Sequence, residues 1–577
     1  MFPWPTTTLV VIFSLLLVRC SARLFPSTQE FQVSGSPLLI EPDRFYCNDQ
    51  HPLNMEVVPA PVSFPNLLSF NSRLYSINNS LPRPFGPTII VQPGQSCFIS
   101  FTNKLYPPIR SCSKEPPTNN TFSCPETTNL HTHGLHVSPD QDNVLLEINP
   151  GETRDFRFAI PSGHLMGTHW YHAHHHRSTA LHVQGGQAGV LLVEPSKDSN
   201  LPLDLKQLYD LHSRVMILQH WLFANENSTN KNQCFGLLGY PDLWGRTQSQ
   251  TPYQLNASII ESDFYTVNGQ FTPVVHLQPG VTMLMRLVHA TGLRLIELSM
   301  VNPDVGQCSW KILARDGIFL ESPLAVDLIV LFPGSRADVA VICQTGGSTM
   351  NVTAGPNTEL DGFICSSSNC CSSRHEQATV WSFFVDTVSP QDEVPVPLSL
   401  VPEQDFPKYL QNLIGKSEIR PLEVRYGISN DTISFGGGGL YVNGMKFNET
   451  NPLSELTQDA VYWVWLKPPP SGLSHPYHQH VVPFQLDLEQ DLLGGVLARK
   501  GEWRDTFPQM SALSLDIPVK LVFSPQSFSG MMIMHCHIFE HEDQGMMAFF
   551  SIQSSACFVP IWLSLCFTLM SFLILIF

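Results

Sequence analysis

His535-Cys536-His537-Ile538-Phe539-Glu540-His541-Glu542-Asp543-Gln544-Gly545-Met546 is the stretch around which the rest of the chain is read. It holds one thiol, three imidazoles and a thioether within twelve positions. A Cys, a His five positions later and a Met ten positions later supply most of a trigonal cysteine–bis-histidine copper site with a weak axial Met. One His from elsewhere completes it. The apolar neighbours, Met531 to Met534 before and Met547, Phe549 and Phe550 after, predict a buried strand running into a loop and out again. On a strand, His535 and His537 point to the face opposite Cys536. Two imidazoles joined through the backbone to a copper thiolate suit electron transfer from one metal site to another. A buried structural Cys among scattered His is the plainer reading, and the His clusters upstream outweigh it.

At 577 residues the chain has room for several domains. It is 43% hydrophobic and only 14% charged, which suits a well-buried, mostly β protein. A net charge of −17 argues against nucleic acid as a partner. Leu9 to Val18 is apolar and Cys20-Ser21-Ala22 offers small residues for cleavage, so residues 1–22 read as an export signal, although it lacks a basic start. Export fits the cysteines. Setting aside Cys20, Cys536, Cys557 and Cys566 from the 14 leaves ten, an even number that suggests disulfides. Cys112 with Cys124 and Cys308 with Cys343 are candidate pairs, whereas adjacent Cys370 and Cys371 have no evident partners. Sequons at Asn78, Asn119, Asn227, Asn256, Asn351, Asn430 and Asn448 are weak signals of glycosylation.

In residues 23–194, Gly86 to Val91 and Cys97 to Thr102 flank a Pro93-Gly94 turn and read as strands of a sandwich. Asn129-Leu130-His131-Thr132-His133-Gly134 follows, with His131 and His133 on one face of an extended strand. A lone His-x-His is weak evidence. The run Gly167-Thr168-His169-Trp170-Tyr171-His172-Ala173-His174-His175-His176 strengthens it, with either His172/His174 or His174/His176 as a second pair. Neutral imidazole is a good ligand for copper, zinc or iron. Asp140 and Asp142 lie between the clusters, as solvated turn residues or as proton donors near a metal.

Residues 201–395 repeat this grammar without His-x-His. Tyr265 to Gly269, a Pro279-Gly280 turn and Phe332-Pro333-Gly334-Ser335-Arg336-Ala337-Asp338 mark the copy. Its His212, His220, His276 and His289 are dispersed and read as structural. Residues 396–553 bring Ser474-His475-Pro476-Tyr477-His478-Gln479-His480. Pro476 is expected to break the strand, so that His475 serves one site while His478 and His480 serve another. His475, Cys536, His541 and Met546 then complete one copper site. Eight His remain as His131/His133, His172/His174, His478/His480 and His535/His537. Eight imidazoles suit three copper ions with room for dioxygen, and they require the terminal domains to meet.

Together these motifs resemble the three-domain multicopper oxidase family, over residues from about 30 to 553. The resemblance implies an all-β fold of three consecutive cupredoxin-like Greek-key β-sandwich domains. It also implies four copper ions. His475, Cys536, His541 and Met546 would hold type 1 copper, and His131 with His478 type 2. His133, His172, His174, His480, His535 and His537 would hold the type 3 pair. The family pattern Trp-Tyr-His-x-His favours His172/His174 over His174/His176. Asp142 and Glu542 match acidic positions that donate protons to reduced oxygen in related enzymes. The ending is especially similar to bacterial-type members, including cuprous oxidases. Thr132 stands where the family usually has Trp, and Val481 where it usually has Gly.

The activity so implied is one-electron oxidation of a reductant, laccase-like with a phenol or aromatic amine, coupled to reduction of dioxygen to water. A metal ion as reductant, ferrous or cuprous, is the alternative. A non-catalytic cell-surface adhesion or copper-binding role is remote, because all twelve ligand positions are filled. Met531, Met532 and Met534 read as core. Cys557 to Phe577 is nearly unbroken apolar sequence preceded by Ser554-Ser555-Ala556, so residues 554–577 read as a membrane span or a lipid-anchor signal. The expected location is the secretory pathway and the extracellular face of the cell membrane, with secretion as the alternative.

Overall fold

The computed structural model describes residues 37–64, 68–107, 120, 122–195, 201–223, 255–256, 262–292, 295–355, 378–388, 394–397, 399–401, 405–416, 419–422, 432–433, 441–467, 475–509, 519–526 and 528–554. The export signal, the Cys112 partner expected for Cys124, Cys370, Cys371 and the apolar tail lie outside these residues. No described helix is long and apolar enough to cross a membrane.

The fold is built from β-sheets, six of them among the described residues. Two draw on strands between residues 44 and 193, and the short strand Leu255–Asn256 adds to the edge of one of them beside Leu68–Ile77. Two draw on strands between 213 and 385, and two on strands between 419 and 553. The architecture is that of consecutive cupredoxin-like sandwiches. Side-chain alternation drives the pairing of sheets. In the strand Leu53–Phe64, Leu53, Met55 and Val57 are buried, and so are Ala60, Val62 and Phe64. The phase slips by one between Val57 and Ala60, so the two halves bury opposite faces. The first half joins the main core and the second packs with Phe70 and Trp221. Each large apolar side chain so buried contributes about 1.5–3 kcal/mol. Cys47–Cys97 and Cys308–Cys343 are disulfides, the second as expected from the sequence.

Two sheets carry the site. One has the order Arg44–Tyr46, Gly86–Val91, Ala188–Val193, Gly167–His172, His131–His133. Its edge register sets His131 opposite His172 and His133 opposite Trp170. The other has the order Ser454–Thr457, Met547–Gln553, Gly530–Cys536, His475–Gln479, Thr506–Gln509, and sets His478 opposite His535. The first and last segments share one core, in which Phe101, Leu130 and Val137 are clustered with Tyr477, Met534 and Cys536. They are also tied by hydrogen bonds. The Asp543 carboxylate accepts the N–H groups of Thr179 (3.0 Å) and Ala180 (2.9 Å), which start the helix Thr179–Gln184. Those N–H groups would otherwise lack partners within the helix.

The strand His475–Gln479 corrects one expectation. It runs unbroken through Pro476, which lies opposite Pro508. His475 and His478 need no break to diverge, since residues three apart on a strand face opposite ways. The chain turns only after His480, where Val481 takes a left-handed conformation with φ of 53°. That conformation is rare for a β-branched residue and falls where the family usually has glycine.

Candidate metal centre

The first grouping is small and sulfur-bearing. Cys536 ends its strand, and its Sγ lies 3.4 Å from His475 Nδ1 and 3.6 Å from His541 Nδ1. The two Nδ1 atoms are 3.2 Å apart. Met546 is fully buried beside them, with its backbone bonded to both Cys536 and His541. Burial pushes the Cys536 thiol well above its usual range and lowers His541 to about 4. The metal-free group therefore holds a protonated thiol and neutral imidazoles. A cation is what would release the thiol proton. Cys536 is the free cysteine among the described residues.

The second grouping gathers eight imidazoles on the other side of the same strand. His131 stacks on His480 with ring centres 4.0 Å apart, and His133 on His478 at 3.7 Å. The two His-x-His motifs, more than 300 positions apart in the chain, thus lie ring against ring. His535 Nε2 is 3.2 Å from both His174 Nε2 and His480 Nε2. His537 Nε2 is 3.3 Å from His133 Nδ1. Clusters with mutually close donor atoms include His131/His478/His480, His131/His133/His172 and His174/His480/His535. His176 turns away to Asn120 at 2.8 Å, so His174 is the member of the run that faces the cluster. From the middle segment, His276 pairs with Asp386 and His289 with Thr291.

Two acids sit against this cluster. Asp142 is buried, with Oδ2 at 2.7 Å from His131 Nδ1, whereas Asp140 is exposed. Burial raises the Asp142 carboxyl to about 7, against the lowering effect of the Thr132 N–H and hydroxyl bonded to it. Glu542 lies with Oε1 3.3 Å from His174 Nδ1 and Oε2 3.4 Å from His535 Nδ1, and Thr179 donates to it at 3.0 Å. Burial and neighbouring Asp543 push Glu542 well above the usual carboxylate range.

Donor chemistry provides the test of fit. His131 gives Nδ1 to Asp142, His172 to the Ala173 carbonyl (2.9 Å) and His478 to the Asp505 carbonyl (2.9 Å). In all three, Nε2 is buried with no partner. A buried polar atom left without a bond costs about 1–3 kcal/mol, and such a hydrogen bond to the other nitrogen is what orients a metal-ligating imidazole. Burial lowers His172 to about 3 and His535 to about 4, which keeps them in the neutral, ligating form. Nitrogens 3.2 Å apart are spaced to share an ion bound at about 2.0 Å from each. The residues fit copper in both groupings.

Comparison with known proteins agrees with this reading. Two domain families, each described as multicopper oxidase, match the chain at residues 117–198 and 420–556. Along both segments the chain is similar to the multicopper oxidase family. Among relatives of that family, a laccase of Bacillus subtilis is 24% identical over 511 residues, covering 82% of this chain and 89% of the relative. A bilirubin oxidase of Albifimbria verrucaria is 25% identical over 497 residues, covering 81% and 71%. The solved multicopper oxidase McoA of Aquifex aeolicus superposes with a TM-score of 0.63 at 20% identity, over 90% of this chain and all of that one. A multicopper oxidase from Campylobacter jejuni, titled a metallo-oxidase, gives 0.59 at 20% identity, over 92% and 96%.

Sequence reasoning missed Asp505 and Thr506, which contact His133 and His478. The one signal was a charge pair, Arg504-Asp505, between Trp503 and Phe507. It also passed over His136, His164 and His169. These line a cavity of about 20 Å³ with Tyr409 and Asp505, roughly the space of one water.

Proposed function

We propose that the protein is a copper-dependent oxidoreductase that oxidises a phenol or aromatic amine one electron at a time and passes the electrons to dioxygen, yielding water. His475, Cys536, His541 and Met546 would hold the type 1 ion. His131 and His478 would hold the type 2 ion, and His133, His172, His174, His480, His535 and His537 the type 3 pair. Bound copper would supply single-electron redox chemistry at the first set and dioxygen reduction at the second. The observation that carries the reading is the sequence of three residues His535-Cys536-His537, whose thiol faces one donor set while its two neighbours join the other. Each electron thus has a path of a single residue step between them.

The remaining roles belong to the chain's own groups. Asp142 holds His131 in one orientation through Nδ1, and Glu542 lies between His174 and His535. In this reading both would supply protons for the reduction of dioxygen. A cavity of about 240 Å³ beside that end is lined by Asp142, His480, Val144, Leu145, Met531 and Ile533.

The test is steady-state oxygen uptake by the purified protein with a panel of phenols, aromatic amines, ferrous ion and cuprous ion. Uptake driven best by phenols or amines supports the laccase-like reading. Uptake driven only by a metal ion replaces it with a metallo-oxidase, and none with any donor overturns both.

A further inference from the structure

The middle segment supplies no ligand, yet its loop Phe332–Arg336 touches the metal centre at two points. We infer that this loop braces the imidazole cluster: Arg336 is a positioning residue that fixes His133 and His478 through Asp505, and Gly334 leaves the space that His537 occupies. The inference rests on the copper reading above and deepens it.

Arg336 is completely buried. It gives Asp505 two parallel hydrogen bonds, Nη1 to Oδ1 at 2.7 Å and Nη2 to Oδ2 at 2.5 Å. Its other donors reach the carbonyls of Gly334 (3.1 Å), Asp316 (3.0 Å) and Thr168 (3.4 Å). All five N–H groups of the guanidinium are therefore engaged, and its orientation is fixed. The partners come from the first, middle and last segments, so one side chain locks all three together. Such a fork needs an arginine, because lysine offers a point charge without the planar pair of donors.

What Arg336 fixes is the wall of the cluster. The Asp505 carbonyl accepts the His478 Nδ1 proton at 2.9 Å, which leaves Nε2 as the free lone pair. Asp505 Oδ1 lies 3.4 Å from His133 Nε2, on the far side of the ring from the Nδ1 that meets His537. The Thr506 hydroxyl donates to Asp505 Oδ1 at 2.8 Å and stands 3.2 Å from His478 Nδ1 and 3.4 Å from His133 Nε2. Within the stacked pair, His478 is thus held by the Asp505 main chain and His133 faces the Asp505 carboxylate, so both depend on a residue that Arg336 fixes. Groups of this kind set both the tautomer and the aim of a ligating imidazole. Gly334 acts by absence. At φ of 86° a Cβ there would come 2.6 Å from His537 Nε2, and the imidazole would have to move.

The test compares copper-loaded wild-type protein with Arg336→Met, Arg336→Lys and Gly334→Ala, each dialysed against the same chelator. Copper per chain, the blue absorption of the thiolate site and the electron paramagnetic resonance of the type 2 ion are read. The blue band reports an intact last domain; the other two report the imidazole cluster. Arg336→Met is expected to keep the blue band while retention of the other copper weakens about 10–100-fold, the range for loss of a group supporting a metal ligand. Arg336→Lys is expected to recover part of it, with a type 2 signal that still differs from wild type. Arg336→Met with a wild-type copper count and an unchanged type 2 signal overturns the brace alone. If Arg336→Met loses the blue band too, Gly334→Ala decides: cluster copper lost with the band kept supports the brace, and a full complement overturns it. Wild-type protein that binds no copper overturns the copper reading and the brace with it.

Discussion

Thr132 donates both its backbone N–H and its hydroxyl to one oxygen of Asp142, at 2.8 and 3.0 Å. The other oxygen is thereby left for His131 Nδ1. The residue that departs from the family's usual Trp has become the support of the acid beside the cluster. Asp142→Asn is expected to cut oxygen uptake about 10–100-fold with the blue band intact, since it changes a group supporting a ligand. Thr132→Val removes one of two bonds to Asp142 and is expected to cut it less. Uptake unchanged in Asp142→Asn removes that residue from the mechanism.

Glu542 lies between two imidazoles far apart in the chain, 3.3 Å from His174 Nδ1 and 3.4 Å from His535 Nδ1. Glu542→Gln keeps the size and the bond from Thr179 but removes the carboxylate. Turnover is expected to fall at least about 10-fold, while the rate at which donor reduces the blue site stays at the wild-type value. Stopped-flow bleaching of the blue band separates the two steps. Equal losses in both would place Glu542 in the thiolate site's structure instead.

Met546 is fully buried and bonded through its backbone to Cys536 and His541. In the proposed type 1 set its sulfur would tune the potential of the bound ion. Met546→Leu conserves volume and is expected to cost less than about 1.5 kcal/mol in stability. Redox titration should show a raised type 1 potential. No rise, or a fall, excludes Met546 as the axial ligand.

Cys308–Cys343 closes a loop across paired strands of the middle segment, with a sequence separation of 35. Replacing both by Ser is expected to cost about 2–4 kcal/mol. The thermal midpoint of the segment should fall while the blue band at room temperature is unchanged, because no donor residue lies on those strands. A lost blue band in folded protein would show that the disulfide shapes the copper site.

The clustering of the proposed ligands was legible because each His-x-His pair sits close in sequence with a two-residue period, and a strand turns that period into a shared face. Cys308–Cys343 was legible for a similar reason. Pro476 misled because proline usually interrupts a strand interior; here it faces Pro508, and the odd spacing of His475 and His478 already sends them apart. Arg336, Gly334 and Asp505 were not legible, since their importance lies in contacts between residues 169 positions apart. Nothing local in Pro333-Gly334-Ser335-Arg336 distinguishes a metal brace from an ordinary turn. Val481 was visible only as a departure from the family; its positive φ gives that departure physical meaning.

The most direct measurement is the copper content of purified wild-type and Cys536→Ser protein, taken together with their visible spectra. Wild-type protein should hold four ions per chain and show an intense blue thiolate band. Cys536→Ser should hold three and be colourless, with the imidazole cluster still loaded. A wild-type protein without the band, or a serine variant that keeps it, would contradict the two-centre account.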